Sequence, residues 1–507
     1  MHGSEFDARP RGAASAARRT IALACATLLA SACASTYQPW INEASAPPAA
    51  TAKEKPSSKE KPSYWSAVGG ANNARDMYFV VAFSGGGMRA AALAYGVLEA
   101  LRDARFDWDG RSTTLLDQVD VLSGVSGGGL TAAYYAAYGA QTFSAYKRQF
   151  LLRDFDSDLL SGAMAPETSY RMSSPWFGRG NVLAEQLDRV LFHGMTYGQL
   201  RNDRSGPTLF LTATDLSLGT SFEFTPDQFR LMCSDLRAVP LAVAAAASSA
   251  VPVVFAPITL KNYAGPCSSG LPPGPQAAHP SFAQRKIREY LAEQDTYRDR
   301  ALRPYIHLVD GGLADNLGLR RIAQDIEMAG GLGPALEHGG ATGVKKIIFL
   351  SVDAERKNTF AADQSGDVPS LVAMFHAIEF GFLSHNTTDT YDQFAQTMSG
   401  WRSKIQADLR SGQGPFAPGV KVYDIEVGLR SYPEAAMRKA LMDVPTSFAL
   451  APAQVDETIA AGPKILEANP EYRRLLRDLE ASADAPRLVG AVESPRRSRS
   501  RVGFTRR

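Results

Sequence analysis

Cysteine is scarce in this sequence: four residues in 507, with no C-x-x-C pair among them, so zinc and iron–sulfur centres have no ligand set to draw on. A surplus of one charge is missing too. The formal net charge is +2, and much of the positive excess lies at the two ends, so nothing global favours nucleic acid as a partner. Past residue 33 no apolar run is long enough to span a bilayer, and no internal repeat points to a solenoid. What remains is an ordinary globular composition, 45% hydrophobic and 21% charged. It is long enough for one large α/β domain or two smaller ones. Nothing in it asks for a metal or another cofactor.

The ends carry their own signals. Arg9, Arg11, Arg18 and Arg19 precede the apolar run Ile21–Ala30, too short for a transmembrane helix but suited to a signal peptide over 1–33. Leu29-Ala-Ser-Ala-Cys33 reads as a lipoprotein-type cleavage site with Cys33 as the lipidation site, although Ala30 holds the position three before the cysteine. Ordinary secretory cleavage is the alternative. The stretch Met1–Phe6 looks like a cloning scar or upstream extension and is left out of the fold reasoning. Residues 34–75, with Pro47, Pro48, Pro56 and Pro62 among Ala, Ser, Lys and Glu, are expected to form a flexible tether. Residues 471–507 are expected to be a C-terminal helix and a basic disordered tail. These signals place the protein in the cell envelope, as an outer-membrane lipoprotein facing the periplasm, or else secreted into the periplasm.

Between the ends, one stretch organises the body, expected over 76–470. The apolar run Val119–Leu122 leads through Gly124-Val-Ser126-Gly-Gly128 into the helix-forming Leu130–Ala137. A G-x-S-x-G elbow between strand and helix holds its serine on a sharp turn, aimed at solvent and at the helix N-terminus. That context favours Ser126 as a nucleophile over a plain strand-to-helix turn. Upstream, the strand-like Met77–Phe83 stops at Ser84-Gly85-Gly86-Gly87, and Met88–Leu101 follows at helical spacing. Strand, helix, strand is a βαβ unit, whose right-handed crossover brings the glycine turn and the elbow to one sheet edge. Successive glycine N–H groups there form a concavity for negative charge. Gly85, Gly86, Gly87, Met88 and Arg89 are therefore the expected oxyanion hole, with Arg89 steadying the loop or adding positive potential. A phosphate cradle or a tight turn are the rivals, but no Lys-Ser/Thr follows the glycines, which excludes a P-loop.

The rest of the body supplies a proton acceptor and more sheet. Tyr305–Val309 reads as a strand ending in Asp310-Gly311-Gly312, so Asp310 would stand at a strand end beside glycines. A buried carboxylate there can take the serine proton; read alone, Asp-Gly is a turn signal. Further strands are expected at Thr208–Thr214, Thr220–Thr225 and Val344–Val352. Helices are expected at Val182–Leu191, Leu241–Ala250, near Leu371–Thr390 and at Pro452–Ala468, with a Gly/Pro-rich loop over 265–280. Together they predict a three-layer α/β/α fold around a mostly parallel sheet. A triad esterase would need a histidine after Asp310; His338, in a glycine-rich loop, and His376 and His385, on a helical stretch, meet that order. In an oxidising compartment Cys233 and Cys267 are the candidate disulfide, closing a loop of about 35 residues worth roughly 4 kcal/mol.

From Met77 to Leu466 these motifs resemble the patatin-like phospholipase family. Its G-G-G-x-R appears as Gly85-Gly-Gly-Met-Arg89, its G-x-S-x-G as Gly124-Val-Ser-Gly-Gly128, its D-G-[GA] as Asp310-Gly-Gly312, and its Ser-Ser-Ala-x-Pro as Ser248-Ser-Ala-Val-Pro252. The resemblance implies a Ser126–Asp310 dyad without histidine, cleaving fatty-acyl esters of membrane lipids in the manner of a phospholipase A or lysophospholipase. A catalytically silent envelope lipoprotein that binds acyl chains is the reading from another class. Protein partners are left open by the sequence.

Overall fold

The computed structural model describes residues 36–45, 76–200, 206–265, 282–355, 364 and 366–483. The expected signal segment, Cys33, most of the tether, Cys267 with its Gly/Pro-rich loop, and the basic tail lie outside them. The strands are β1 (Met77–Phe83), β2 (Arg105–Trp108), β3 (Arg111–Thr114), β4 (Val121–Val125), β5 (Thr208–Asp215), β6 (Ser221–Glu223), β7 (Ile258–Lys261), β8 (Tyr305–Asp310), β9 (Val344–Asp353) and β10 (Phe416–Gly428). The helices used below are, in chain order, α1 (Gly87–Asp103), α2 (Ser126–Tyr138), α3 (Phe155–Met164), α4 (Arg179–Leu187), α5 (Leu241–Ser248), α6 (Leu332–His338), α7 (Leu371–Ser411), α8 (Pro452–Ala468) and α9 (Pro470–Ala483).

β1 explains the layering. Its residues are apolar and alternate between two faces. Phe79, Val81 and Phe83 enter the core shared with α1, α2 and α8. Tyr78, Val80 and Ala82 enter a second core with Phe394, Met398 and Trp401 of α7. A strand buried on both faces needs a helical layer on each side, and the result is the expected three-layer α/β/α fold. The eight-stranded sheet runs β10-β9-β1-β4-β5-β8-β7, with β6 also on β5. From β10 to β5 all neighbours are parallel. Beyond β5 the sheet turns antiparallel, through β8 and then β7. β2 and β3 make a separate hairpin.

Several elements differ from the sequence-based expectation. The helix after the elbow starts at Ser126 itself, not at Leu130, because three glycines let the chain turn into helix with no side chain in the way. The helix expected to end near Thr390 runs on to Ser411. The edge strand β10 has no counterpart in the sequence reading: Pro418-Gly419 interrupts it, and the ladder shifts register between Phe416 and Lys421. α9 lies against this strand, with the Tyr423 hydroxyl donating to Asp478 at 2.7 Å and Arg474 stacked 4.2 Å from the Tyr423 ring centroid.

The start of the expected tether is no tether. Residues 36–45 are docked on the body. The Asn42 side chain donates to Ser234 Oγ at 2.7 Å and to the Lys261 carbonyl at 2.9 Å, and accepts the Lys261 N–H at 2.6 Å. Ser45 N–H donates to the Cys233 carbonyl at 2.8 Å, and the Tyr37 ring meets Phe177 edge-on at 5.3 Å. Buried Asn42 pairs with another segment's backbone as a strand would, with Tyr37, Trp40 and backbone bonds of Glu43 and Ser45 beside it, and such scattered contacts leave no periodic hydrophobic pattern.

Candidate active site

β1 and β4 are parallel neighbours in register, with Phe83 opposite Gly124. The turns that follow them, Ser84–Gly87 and the Ser126 elbow, therefore emerge side by side at the carboxyl edge. They touch backbone to backbone. A Cβ at Gly127 would fall on the Gly87 carbonyl, so only glycine fits after the serine. Ser126 is held at φ +49, a left-handed conformation that non-glycine residues rarely adopt and that costs roughly 1–3 kcal/mol. It is compensated locally: the Ser126 N–H donates to Ser248 Oγ at 2.8 Å, and that hydroxyl donates to the Thr212 carbonyl at 2.6 Å. Ser248, at the end of α5, is thus a clamp on the elbow. Its sequence signal was the Ser-Ser-Ala-Val-Pro stretch, which gave it no role.

Asp310 arrives from the other half of the sheet. It ends β8, which runs antiparallel to β5 and pairs with its last three residues only: Asp310 lies opposite Ala213, and Leu308 opposite Asp215. An antiparallel strand ordinarily delivers its end to the opposite edge. Here the short overlap stops Asp310 one register step from Thr212, which itself lies opposite Val125. The Asp310 N–H donates to the Ala250 carbonyl at 2.9 Å, its carbonyl accepts from Thr214 Oγ1 at 2.7 Å, and its Oδ1 accepts the Gly312 N–H at 2.8 Å. Burial pushes the carboxyl up to about 6, against the opposing pull of the Gly312 N–H and the Ser126 hydroxyl. Both residues are buried, each 6% exposed.

Of the five expected residues Gly85–Arg89, several already have acceptors. The Gly85 N–H donates to the Asn316 carbonyl at 3.1 Å and the Met88 N–H to the Ser447 carbonyl at 2.8 Å. The buried Arg89 guanidinium is tied to the carbonyls of Ala354 and Val444, so it braces the turn and is not aimed at Ser126. This leaves the N–H groups of Gly86 (φ +136) and Gly87 (φ +60), which meet no acceptor among the described residues. A Cβ at Gly85 would stand 3.4 Å from Ser126 Cβ, which locates the turn directly beside the serine. Val444 and Ser447 went unseen in the sequence because they act through backbone carbonyls, which every residue type carries.

His338 is the exposed last residue of α6, not part of a loop. His376 and His385 fall on α7, with side chains outside the description. No described histidine bonds Ser126 or Asp310. Cys233 is disulfide-bonded and is the one cysteine among the described residues; its partner lies outside them. No cluster of three His, Cys, Asp or Glu side chains suited to a metal occurs among the described residues, and no described helix is long and apolar enough to cross a membrane.

Comparison with known proteins gives one family match: residues 81–322 fit the model described as patatin-like phospholipase. No curated protein sequence matches the chain. Among solved structures, human GIVD cytosolic phospholipase A2 is similar at 12% identity over 84% of this chain and 66% of its own, with a TM-score of 0.42. VipD from Legionella pneumophila is similar at 12% identity over 80% of this chain and 67% of its own, with a TM-score of 0.27. The ExoU–SpcU complex of the Pseudomonas aeruginosa type III secretion system gives 13% identity, coverage of 82% and 90%, and a TM-score of 0.17. The chain spans slightly less than two thirds of the human phospholipase, and no residue's role rests on these three likenesses.

Proposed function

Through residues 81–322 the chain belongs to the patatin-like phospholipases, and from that premise we propose that it is a lipid acyl hydrolase working through a Ser126–Asp310 dyad. The observation that carries this reading is the strand register that brings Ser126 and Asp310 to one edge of the sheet, where the Ser126 hydroxyl faces a buried carboxyl whose proton affinity is raised to about 6. Such a group is still mostly ionised at neutral pH, yet accepts a proton more readily than an exposed aspartate.

Asp310 takes the Ser126 proton as Oγ attacks the ester carbonyl carbon. The oxygen that becomes negative is received by the N–H groups of Gly86 and Gly87, which meet no other acceptor among the described residues; one missing donor of this kind costs about 3 kcal/mol of activation energy. Collapse of the tetrahedral intermediate expels the alcohol, which leaves with the proton held by Asp310. Water then attacks the acyl-enzyme, giving its proton to Asp310; Ser126 takes that proton back as the fatty acid departs.

The test is fatty-acid release from phospholipid and lysophospholipid by the wild-type protein. Loss in both Ser126→Ala and Asp310→Asn supports the dyad. Activity kept in Asp310→Asn but lost in His376→Ala or His385→Ala transfers the role to a triad. Absence of any ester hydrolysis leaves the silent acyl-chain binder.

The envelope location belongs to the same proposal. Its support is the basic and apolar segment ending at Cys33. Lipid modification of Cys33 predicts that Cys33→Ser releases the protein from membrane fractions. With Cys25 in the cleaved segment and Cys33 modified, Cys267 is the remaining partner for Cys233, which non-reducing peptide mapping checks.

A further inference from the structure

An apolar surface stands outside the site and is used by nothing described so far. Leu160 and Met164 project from one face of α3, 62% and 70% exposed; Tyr170 and Trp176 follow at 61% and 56%; and the turn after α5 offers Val253 and Val254 at 52% and 38%. These segments are neighbours. Arg179, three residues after Trp176, donates to the Val253 carbonyl at 2.5 Å, and Gly178 lies so close to Ala256 that a Cβ there would be 2.6 Å from Ala256 Cβ. α3 joins the same turn through Phe448, whose ring meets Phe155 at 5.9 Å and Phe255 at 6.0 Å.

Three observations indicate what covers this surface. First, Val253 holds φ +68, a true outlier for a β-branched residue, where asparagine or glycine fits with less strain. An exposed valine in that conformation contributes no core packing. Second, the turn borders the site: Ala250, which accepts the Asp310 N–H, is three residues from Val253, a reach of at most about 11 Å. Third, the chain that leads back to Cys33 leaves the body here. Tyr37 packs edge-on against Phe177, next to Trp176, and its carbonyl accepts from Ser174 Oγ at 2.7 Å. Cys33 is four residues away, at most about 14 Å of extended chain. An anchor at Cys33 on so short a lead would hold this face down on the membrane.

We infer that the surface formed by Leu160, Met164, Tyr170, Trp176, Val253 and Val254 seats the protein on the phospholipid bilayer that carries its anchor. Aliphatic side chains ringed by Trp and Tyr match the boundary between acyl chains and headgroups. The neighbouring cations are already engaged: Arg171 by Glu185 at 2.7 Å, Arg153 by Asp158 and Arg179 by the Val253 carbonyl. The surface therefore fits zwitterionic lipid and does not depend on anionic headgroups. The substrate would then reach Ser126 from the membrane itself. The inference rests on the lipid-hydrolase reading and deepens it by naming the side from which substrate enters.

The test uses the full chain carrying Cys33→Ser and Ser126→Ala, so that neither anchor nor turnover contributes, with phosphatidylcholine vesicles. The expected result is co-sedimentation, with quenching of Trp176 emission by brominated acyl chains. Adding Leu160→Glu, Met164→Glu and Val254→Asp should weaken binding about tenfold or more at an unchanged melting temperature. Val253→Asn, which suits its left-handed backbone, serves as the second variant and should also weaken binding if the triple change unfolds the protein. No binding by the parent chain, binding that needs anionic lipid, or binding indifferent to both variants overturns the inference. So does a parent chain that is dimeric by light scattering and turns monomeric in the variants, since the surface then meets a second copy. Because the readout is binding, these outcomes are independent of whether Ser126 turns over a lipid, which the hydrolysis assay decides.

Discussion

Ser126 and Asp310 come to one edge of the sheet from halves built differently. The serine follows β4, an inner strand of the parallel block, paired over four residues with β1 and five with β5 and buried throughout. The aspartate ends β8, whose grip on β5 is three residue pairs and whose Tyr305 and His307 are exposed. On the first side, packing on two faces fixes position. On the second, a few polar contacts do: Thr214 Oγ1 on the Asp310 carbonyl, the Ala250 carbonyl on its N–H, and the Ser248 carbonyl on the Gly311 N–H. The lesson is that the position of Ser126 depends on the fold and that of Asp310 on particular hydrogen bonds, so small lesions should separate the two sides.

The largest effect expected is from Asp310→Asn, which removes the acceptor and should lower kcat by on the order of 10³–10⁴ with the fold retained. Its sign on stability is opposite. The Asp310 carboxyl is raised to about 6, so between its unfolded value and about 6 the folded state binds the extra proton. Its contribution to stability is present at acid pH and lost as pH rises through about 6. The neutral variant should consequently be more stable than wild type at pH 8 by about 1–2 kcal/mol, measurable as a higher denaturation midpoint.

Next comes Gly127→Ala. The new methyl meets the Gly87 backbone carbonyl, which cannot yield as a side chain would. We expect a stability loss of about 3 kcal/mol or more and activity lost with it, by urea denaturation and ester hydrolysis.

A matched pair sharpens the comparison. Thr214→Val removes the hydroxyl that holds the Asp310 carbonyl and accepts the Ala314 N–H at 3.1 Å; Ser123→Ala removes a buried hydroxyl on β4 that donates to the Gly318 carbonyl at 2.8 Å. Each should cost about 1–2 kcal/mol of stability. Thr214→Val should also lower kcat about tenfold, while Ser123→Ala should change kcat less than about twofold. Equal kinetic effects would erase the distinction between the two halves.

The smallest effect is reached by titration alone. If ionised Asp310 is the acceptor, kcat/KM should be flat above neutrality and fall as pH drops through about 6, tending to a tenfold loss per pH unit below it. A profile still flat at pH 5 would remove Asp310 from the proton transfer.

Much of the parallel half was legible in the sequence, and for a physical reason. β1, the elbow and α8 bury side chains whose chemistry and spacing state their role: an apolar run closed by glycines, a serine between glycines, a helix whose apolar residues keep their spacing past Pro463. Asp310 was legible as a strand end, but not the reversed direction of its strand, because pairing direction is set by connection geometry and register, which composition does not encode. β7 and β10 were missed for being short or broken by Pro418-Gly419. The clamps on the glycine turn at Asn316, Val444 and Ser447 act through main-chain carbonyls and have no side-chain signature at all. The docking of residues 36–45 combines Asn42 with single contacts of Tyr37 and Ser45, in a segment whose composition otherwise reads as linker.

The most direct test of the dyad is covalent labelling by a fluorophosphonate, with the adduct located by mass spectrometry and its rate followed in variants. We expect a single adduct on Ser126, formed about 10³-fold more slowly in Asp310→Asn and at the wild-type rate in His338→Ala, His376→Ala and His385→Ala. An adduct on any other residue, or undiminished labelling of Asp310→Asn, contradicts the account.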